Sequence, residues 1–154
     1  METNHEEADN IIVIQVSMCA RQNVCSGITV ICDDTDVFVL LLHYYHKMKL
    51  QNLILMESPI KGRAVIDIPK TVEKHVGIVE NILPAHALSG CDTVACCYGI
   101  GKGTIVKTLR SGHTLSHLGL LESPLESVIS QATIFMSACY GQSINCQTMS
   151  ETRI

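Results

Sequence analysis

The stretch ITVICDDTDVFVLLLHYYHK, residues 28–47, decides the reading of this chain. Its first part, ITVIC (28–32), is a continuous β-branched apolar run of strand length, the pattern of a strand buried on both faces of a parallel sheet. Acids follow at once (Asp33, Asp34, Asp36), and VFVLLLHYYHK (37–47) then has the composition of a helix packed on that sheet. One crossover further on, NLILM (52–56) reads as a second strand. Pro59, Gly62 and Pro69 bracket AVIDI (64–68) as a third strand or an edge hairpin. Upstream, HEEADNIIVIQVSMCARQ (5–22) reads as a helix whose first turn is filled with acids, where the helix dipole favours them. Beyond Pro69, residues 70–83 read as helical with an interruption at Gly77. This alternation predicts an α/β fold, a mostly parallel sheet flanked by helices, with functional groups gathered at the carboxyl ends of the strands.

The second informative stretch is LSGCDTVACCYGIGKGTIVKTLRSG, residues 88–112. It reads as a short helix from Asp92 to Tyr98, a tight Gly-Ile-Gly turn, and a second helix from Gly103 to Arg110 ended by Ser111-Gly112, a helix-hairpin-helix. The remainder, 113–154, reads as a helical tail with its clearest helix near 125–139. The expected organisation is one domain: an α/β acidic core over 5–92, the hairpin over 92–112, and the tail.

Composition narrows the class. With 154 residues, 47% of them hydrophobic and no Trp, the chain has enough for one aliphatic core and too little for two full-sized domains. The opening METNHEEADN is acidic and unlike a signal peptide, and no apolar run reaches the roughly 18 residues of a membrane span. The expected compartment is therefore the nucleus or cytoplasm, with no membrane partner. There the eight cysteines read as reduced, mostly buried thiols. Zinc is the alternative for them, but no C-x-x-C occurs, and the pairs His43/His46 and His113/His117 have no cysteine at finger spacing. Tyr44 and Tyr45 read as the end of a buried helix face. Charge is uneven: residues 1–46 carry seven acids against Arg21, while 93–121 hold no acid and Lys102, Lys107 and Arg110. An acidic pole and a basic pole in one small domain suit a protein that handles phosphates.

Three clusters offer hard oxygen ligands: Glu6, Glu7 and Asp9 near a helix start, Asp33, Asp34 and Asp36 at a strand end, and Asp92 at a helix start. Carboxylates from separate elements are what divalent-metal phosphodiester chemistry requires, since Mg²⁺ prefers oxygen ligands and two ions stand about 3.5–4 Å apart in such centres. Each cluster also has a plainer explanation as a dipole complement, a turn former or an N-cap. The second cluster tilts the balance, because three acids within four residues repel one another unless something positive is near.

The order E-A-D (7–9), strand-D-D-T-D (33–36), L-S-G-C-D (88–92) and G-I-G-K (99–102) resembles the internal region of flap-endonuclease and XPG-type nucleases, within the PIN-like superfamily. The blocks DDTDVFVLLLHYY and LPAHALSGCDT also resemble a divergent group of animal proteins carrying this domain. The resemblance covers residues 5 to 112 and implies that Glu7, Asp9, Asp34, Asp36 and Asp92 are metal ligands for Mg²⁺ or Mn²⁺, with Asp34 and Asp36 the catalytic pair. It implies that Gly99, Ile100, Gly101 and Lys102 form a turn whose backbone N–H groups hold a DNA phosphate, in the family sometimes through a monovalent cation, and that Lys107 adds a phosphate contact.

Departures from the pattern bear on activity. The family's first strand, its two acids and its basic clamp have no counterpart in the six residues before Glu7, and Ile105 stands where the hairpin usually has a small residue. The expectation is a metal-dependent, structure-specific nuclease-like domain, incomplete unless a longer isoform or a partner chain restores it. The alternative is a nuclease-derived module that binds nucleic acid or protein without cutting. A third reading, a haloacid-dehalogenase-type phosphotransferase with Asp34 as nucleophile and Asp36 as general acid, wants Thr, Val or Ile at 38, where Phe38 stands.

Overall fold

The computed structural model describes residues 8–22, 27–91 and 94–141. The chain divides into two compact units, Met1–Val79 and Glu80–Ile154. Helix accounts for 55% of the described residues and strand for 9%, so the expected mostly parallel sheet flanked by helices is overturned: the described residues are mostly helical around a small three-stranded mixed sheet.

The first unit contains α1 (Ala8–Gln22), β1 (Ile28–Ile31), α2 (Thr35–Lys47), β2 (Ile54–Glu57), β3 (Ile66–Asp67) and α3 (Ile68–Lys74). β1 and β2 are parallel, with Ile28 opposite Ile54 and Ile31 opposite Glu57, and β3 runs antiparallel to β2 on its other side. The sheet stays small for local reasons. In AVIDI only Ile66 and Asp67 pair, because Asp67 turns into the N-cap of α3, its carboxylate accepting from the Lys70 backbone N–H at 3.0 Å. That bond, with the Lys70 ammonium at 3.1 Å, holds the Asp67 carboxyl below its ordinary range. Pro69 then sits in the first turn of α3, where its missing N–H costs nothing. One strand of the expected sheet thus becomes two residues and a helix.

Among the described residues, only one side of the sheet is covered. Val30, Ile54 and Met56 are buried, while Thr29, Ile31 and Leu53 are exposed, Ile31 at 71%. Among the described residues the strand of ITVIC is an edge strand with one exposed face, and its apolar continuity does not mark double burial. The core is closed by Val13, Val16 and Ala20 of α1, Val37, Val39, Leu41 and Leu42 of α2, and Ile68 and Val72 of α3. α1 packs on α2 and β1, and α3 on α2 and β2. Of the two tyrosines expected to finish a buried face, Tyr45 is half-buried, whereas Tyr44 is exposed and meets His43 edge-on, with ring centres 5.2 Å apart. His43 itself is half-buried, and burial pushes its pKa down, helped by Lys47 and His46.

The second unit holds α4 (Val79–Ser89, whose first residue belongs to the first unit), α5 (Lys102–Arg110) and α6 (Leu125–Cys139). α5 buries Ile105, Thr108 and Leu109, one face at helical spacing, against α6, which contributes Phe135, Met136 and Cys139. Ile105 is thus a core residue rather than an obstacle to packing. Among the six described cysteines only Cys139 is buried, which corrects the expectation of mostly buried thiols. Burial raises its pKa, and its Sγ lies 3.4 Å from Thr108 Oγ1. Leu115, fully buried, is fixed by its backbone N–H donating to Asn81 Oδ1 at 2.7 Å.

The expected helix-hairpin-helix is not formed as drawn. Helix from Val94 to Tyr98 is absent among the described residues, and Asp92 lies outside them. The chain instead reverses at Gly90, whose φ of +116° is open to glycine, and Cys91 and Val94 exchange backbone hydrogen bonds at 3.0 and 3.1 Å. The reversal is tight enough that a Cβ on Gly90 would stand 2.5 Å from the Cys96 Cα. A chain folded back on itself there has no room to wind a first hairpin helix. Only the second helix of the motif forms, with Gly101 as its N-cap and Gly99 at φ +76° in the preceding turn.

These two glycines give a direct test of that geometry. Gly90→Ala meets backbone atoms as well as an unfavourable φ, and is expected to cost more than about 3 kcal/mol. Gly99→Ala has open space around it and is expected to cost only the left-handed strain of about 1–2 kcal/mol. Urea denaturation of the two variants measures the difference, and equal costs would count against the Gly90 reversal.

Candidate metal centre

The winding of the first unit explains how distant acids meet. α1 ends and the chain returns through β1 toward the level of α1's own start, then α2 sets off beside α1. Both helices therefore begin at the same end of the sheet, where β1 delivers Asp33, Asp34 and Asp36. Asp9 lies in the first turn of α1, Asp34 is the N-cap of α2 and Asp36 lies in its first turn. One potential ligand atom from each of Asp9, Asp34 and Asp36 falls within 4.8 Å of the other two. Asp34 is exposed and the other two are half-buried.

Asp34 has a structural duty as well. Its Oδ1 accepts from the Asp36 backbone N–H at 2.7 Å, which caps α2. Asp33 belongs to a different contact: its Oδ2 meets Arg63 Nη1 at 2.6 Å. The repulsion expected among the acids at 33, 34 and 36 is thus relieved in part by an arginine and by two helix N-termini, whose partial positive charge favours carboxylates.

The donor set fits a hard divalent cation. Three carboxylates and no nitrogen or sulfur ligand suit Mg²⁺, Mn²⁺ or Ca²⁺ rather than zinc. In a Mg²⁺ octahedron oxygens stand roughly 3 Å apart when adjacent and about 4.2 Å when opposite, so three carboxylate atoms within 4.8 Å of one another are near enough to share one ion after side-chain adjustment. The remaining acids of the expected site, Glu7 and Asp92, lie outside the described residues.

The phosphate-binding residues expected around 99–107 sit in the second unit. Gly99, Gly101 and Lys107 are exposed. Lys102 is engaged within its own unit: its Nζ donates to the Gly90 carbonyl at 2.7 Å and to Ser89 Oγ at 3.3 Å, tying the start of α5 to the end of α4. Lys107 in the last turn of α5 is the more open cation.

Sequence reasoning missed a cleft of about 250 Å³ beside Asp34, lined among others by Cys32, Thr35, Phe38, Ser58 and Arg63. Its signal was present: in a parallel pair the segment after the second strand lies at the same end as the segment after the first. ESPIKGR (57–63) therefore had to stand near DDTD. No family model, curated protein or solved structure matches this chain.

The double role of Asp34 predicts a split between two substitutions. Asp34→Ala removes the cap and is expected to destabilise the metal-free protein by about 0.5–2 kcal/mol. Asp34→Asn keeps a capping oxygen and is expected to cost far less, since Asn caps as well as Asp. Thermal melting in a chelator reads both, and equal losses would show that the cap is not what Asp34 contributes.

Proposed function

We propose that Asp9, Asp34 and Asp36 hold a divalent cation, Mg²⁺ or Mn²⁺, and that the chain is a nuclease-like domain acting on or binding nucleic-acid phosphodiesters, DNA first among them. The observation that carries this reading is the convergence of three carboxylates, from two helices and a strand end, within 4.8 Å. Held by Asp9, Asp34 and Asp36, such an ion would supply Lewis-acid polarisation of a phosphoryl oxygen. The chain's own groups do the rest: Asp34 fixes α2 by its cap, Asp36 and Asp9 close the ring from the two helix starts, and the open cleft beside Asp34 leaves room for a phosphate. In-line cleavage by two ions needs more carboxylates than three, and Glu7 and Asp92 are proposed as those, following the resemblance. A further strand, from a longer isoform or a partner chain, would add at β1, which is an edge of the sheet among the described residues.

A metal titration followed by melting tests the centre. Mg²⁺ or Mn²⁺ is expected to raise the melting temperature, because an ion that binds the native state and relieves carboxylate repulsion stabilises it by mass action, about 2.7 kcal/mol at a hundred times Kd. Asp34→Asn with Asp36→Asn should abolish the rise and leave the metal-free protein no less stable. Melting of the parent that ignores both ions would refute the centre. A nuclease assay in Mn²⁺ then separates the two functional readings: cleavage lost on Asp34→Asn marks an enzyme, and binding without cleavage marks the non-catalytic module.

The proposed DNA contacts in the second unit divide in the same way. Lys107→Glu should weaken DNA binding and reduce the slope of log K against log salt by roughly one, the loss of a phosphate contact. Lys102→Met should instead lower stability, since Lys102 Nζ holds Gly90 and Ser89. Unchanged DNA affinity in Lys107→Glu would move the contact elsewhere.

A further inference from the structure

The segment leaving β2 reads Glu57-Ser58-Pro59-Ile60-Lys61-Gly62-Arg63, a serine followed at once by proline and, three positions on, by lysine. That is the substrate pattern of proline-directed serine/threonine kinases that favour a basic residue after the acceptor. Proline directly after the acceptor removes one backbone N–H, so the extended substrate strand presents no unsatisfied donor there. The fold displays the pattern well. Residues 59–66 are all exposed and turn at Lys61-Gly62, while Ser58 is half-buried at the rim of the cleft, its Oγ accepting from the Ile60 backbone N–H at 3.0 Å. A second serine-proline pair, Ser123-Pro124, lacks the basic residue, having Glu126 in its place, and its Oγ is engaged with His117 Nδ1 at 3.2 Å.

What gives the first pattern a consequence is where it sits. Ser58 and Arg63 line the same cleft as Asp34. Arg63 is 57% exposed and meets Asp33 through one nitrogen. A phosphoserine carries about −1.5 to −2 charge at neutral pH and three strong acceptor oxygens, so it competes well with a single carboxylate oxygen for a guanidinium that can pair through two N–H groups.

We propose that Ser58 is a phosphorylation site, and that its phosphate recruits Arg63 from Asp33 and fills the cleft beside the acidic centre. In the transfer the Ser58 Oγ–P bond forms, the bond between the γ-phosphorus of ATP and its bridging oxygen breaks, ADP leaves, and the hydroxyl proton passes to the kinase's base. A dianion in that cleft occupies the space a nucleic-acid phosphate would enter, so the modification switches the site off toward substrate. This last consequence rests on the phosphodiester reading above, whereas the modification itself does not.

The full chain is treated with ATP and a proline-directed kinase that prefers a basic residue at the third following position, and the products are mapped by mass spectrometry and ³¹P NMR. One phosphate is expected, on Ser58, with none in Ser58→Ala and at least about tenfold slower incorporation in Lys61→Glu. The ³¹P titration midpoint, near 6 for a free phosphoserine, should lie lower in the parent than in Arg63→Gln by roughly half a unit. Glu57, Asp33, Asp34 and Lys61 are common to both proteins, so the difference reads Arg63 alone. No incorporation, preference for Ser123, or equal midpoints would each overturn the proposal. The melting response to Mn²⁺, measured on the unmodified protein alongside, keeps the two readings apart: an absent response sinks the metal centre and leaves the Ser58 result standing, while a normal response with Ser58 unmodified sinks only the modification.

Discussion

The parallel pairing of β1 with β2 is the constraint on which the first unit depends. Two parallel strands need a crossover, and here the crossover is α2, which carries the chain from the end of β1 back to the start of β2. With α1 leading into β1 in the same sense, two helix N-termini are forced to one end of the sheet. The acids of α1 and of the DDTD segment meet because the winding leaves them nowhere else to go. The segment after β2 is brought to that end by the same rule, which is why Ser58 and Arg63 share a cleft with Asp34. The acidic cluster and the loop that borders it are thus two outcomes of one pairing.

The energetics of the acidic end are balanced rather than strained. Asp33 has Arg63, Asp34 has a backbone N–H, and the helix dipoles oppose the remaining negative charge. Surface ion pairs such as Arg63–Asp33 contribute at most about 1 kcal/mol and are easily exchanged. A pair so weakly held is a poor source of stability but a ready switch, because a stronger anion can take the guanidinium at little cost to the fold. The cap on Asp34 is different in kind. It is local, charge-assisted, and independent of whatever binds above it.

Much of this was legible in the residues. The strand-acid-helix run at 28–47, the second strand, the break at Gly77 and the helix at 125–139 all fall close to where sequence pattern puts them. The errors share a cause, which is that local pattern does not report what covers a segment. ITVIC is apolar throughout, yet one face of its strand is open, because no element among those described packs on that side. AVIDI has strand composition, but a carboxylate placed one residue before Ile68-Pro69 makes a helix start there, and the cap wins over β propensity. At 90–98 the deciding fact is a tertiary approach, the Cα of Cys96 against Gly90, which no periodicity encodes. The triad was legible because acids announce themselves; Arg63 and Ser58 were not, because their meaning comes from strand direction.

Lys102 shows most clearly how a motif and a structure assign different work to one residue. In a hairpin whose two helices meet at a glycine turn, a lysine at the second helix's start lies free to meet a phosphate. Here the first hairpin helix is replaced by a reversal at Gly90, and that reversal leaves a carbonyl and the Ser89 hydroxyl near the start of α5. A carbonyl at the end of a helix is a partial negative charge in need of a donor. Lys102 supplies it at 2.7 Å, and in doing so replaces with one ammonium the helix-to-helix packing that the motif would have provided. The other cations of α5, Lys107 and Arg110, are exposed and lie further along the helix, Lys107 one turn and a half from the glycine turn.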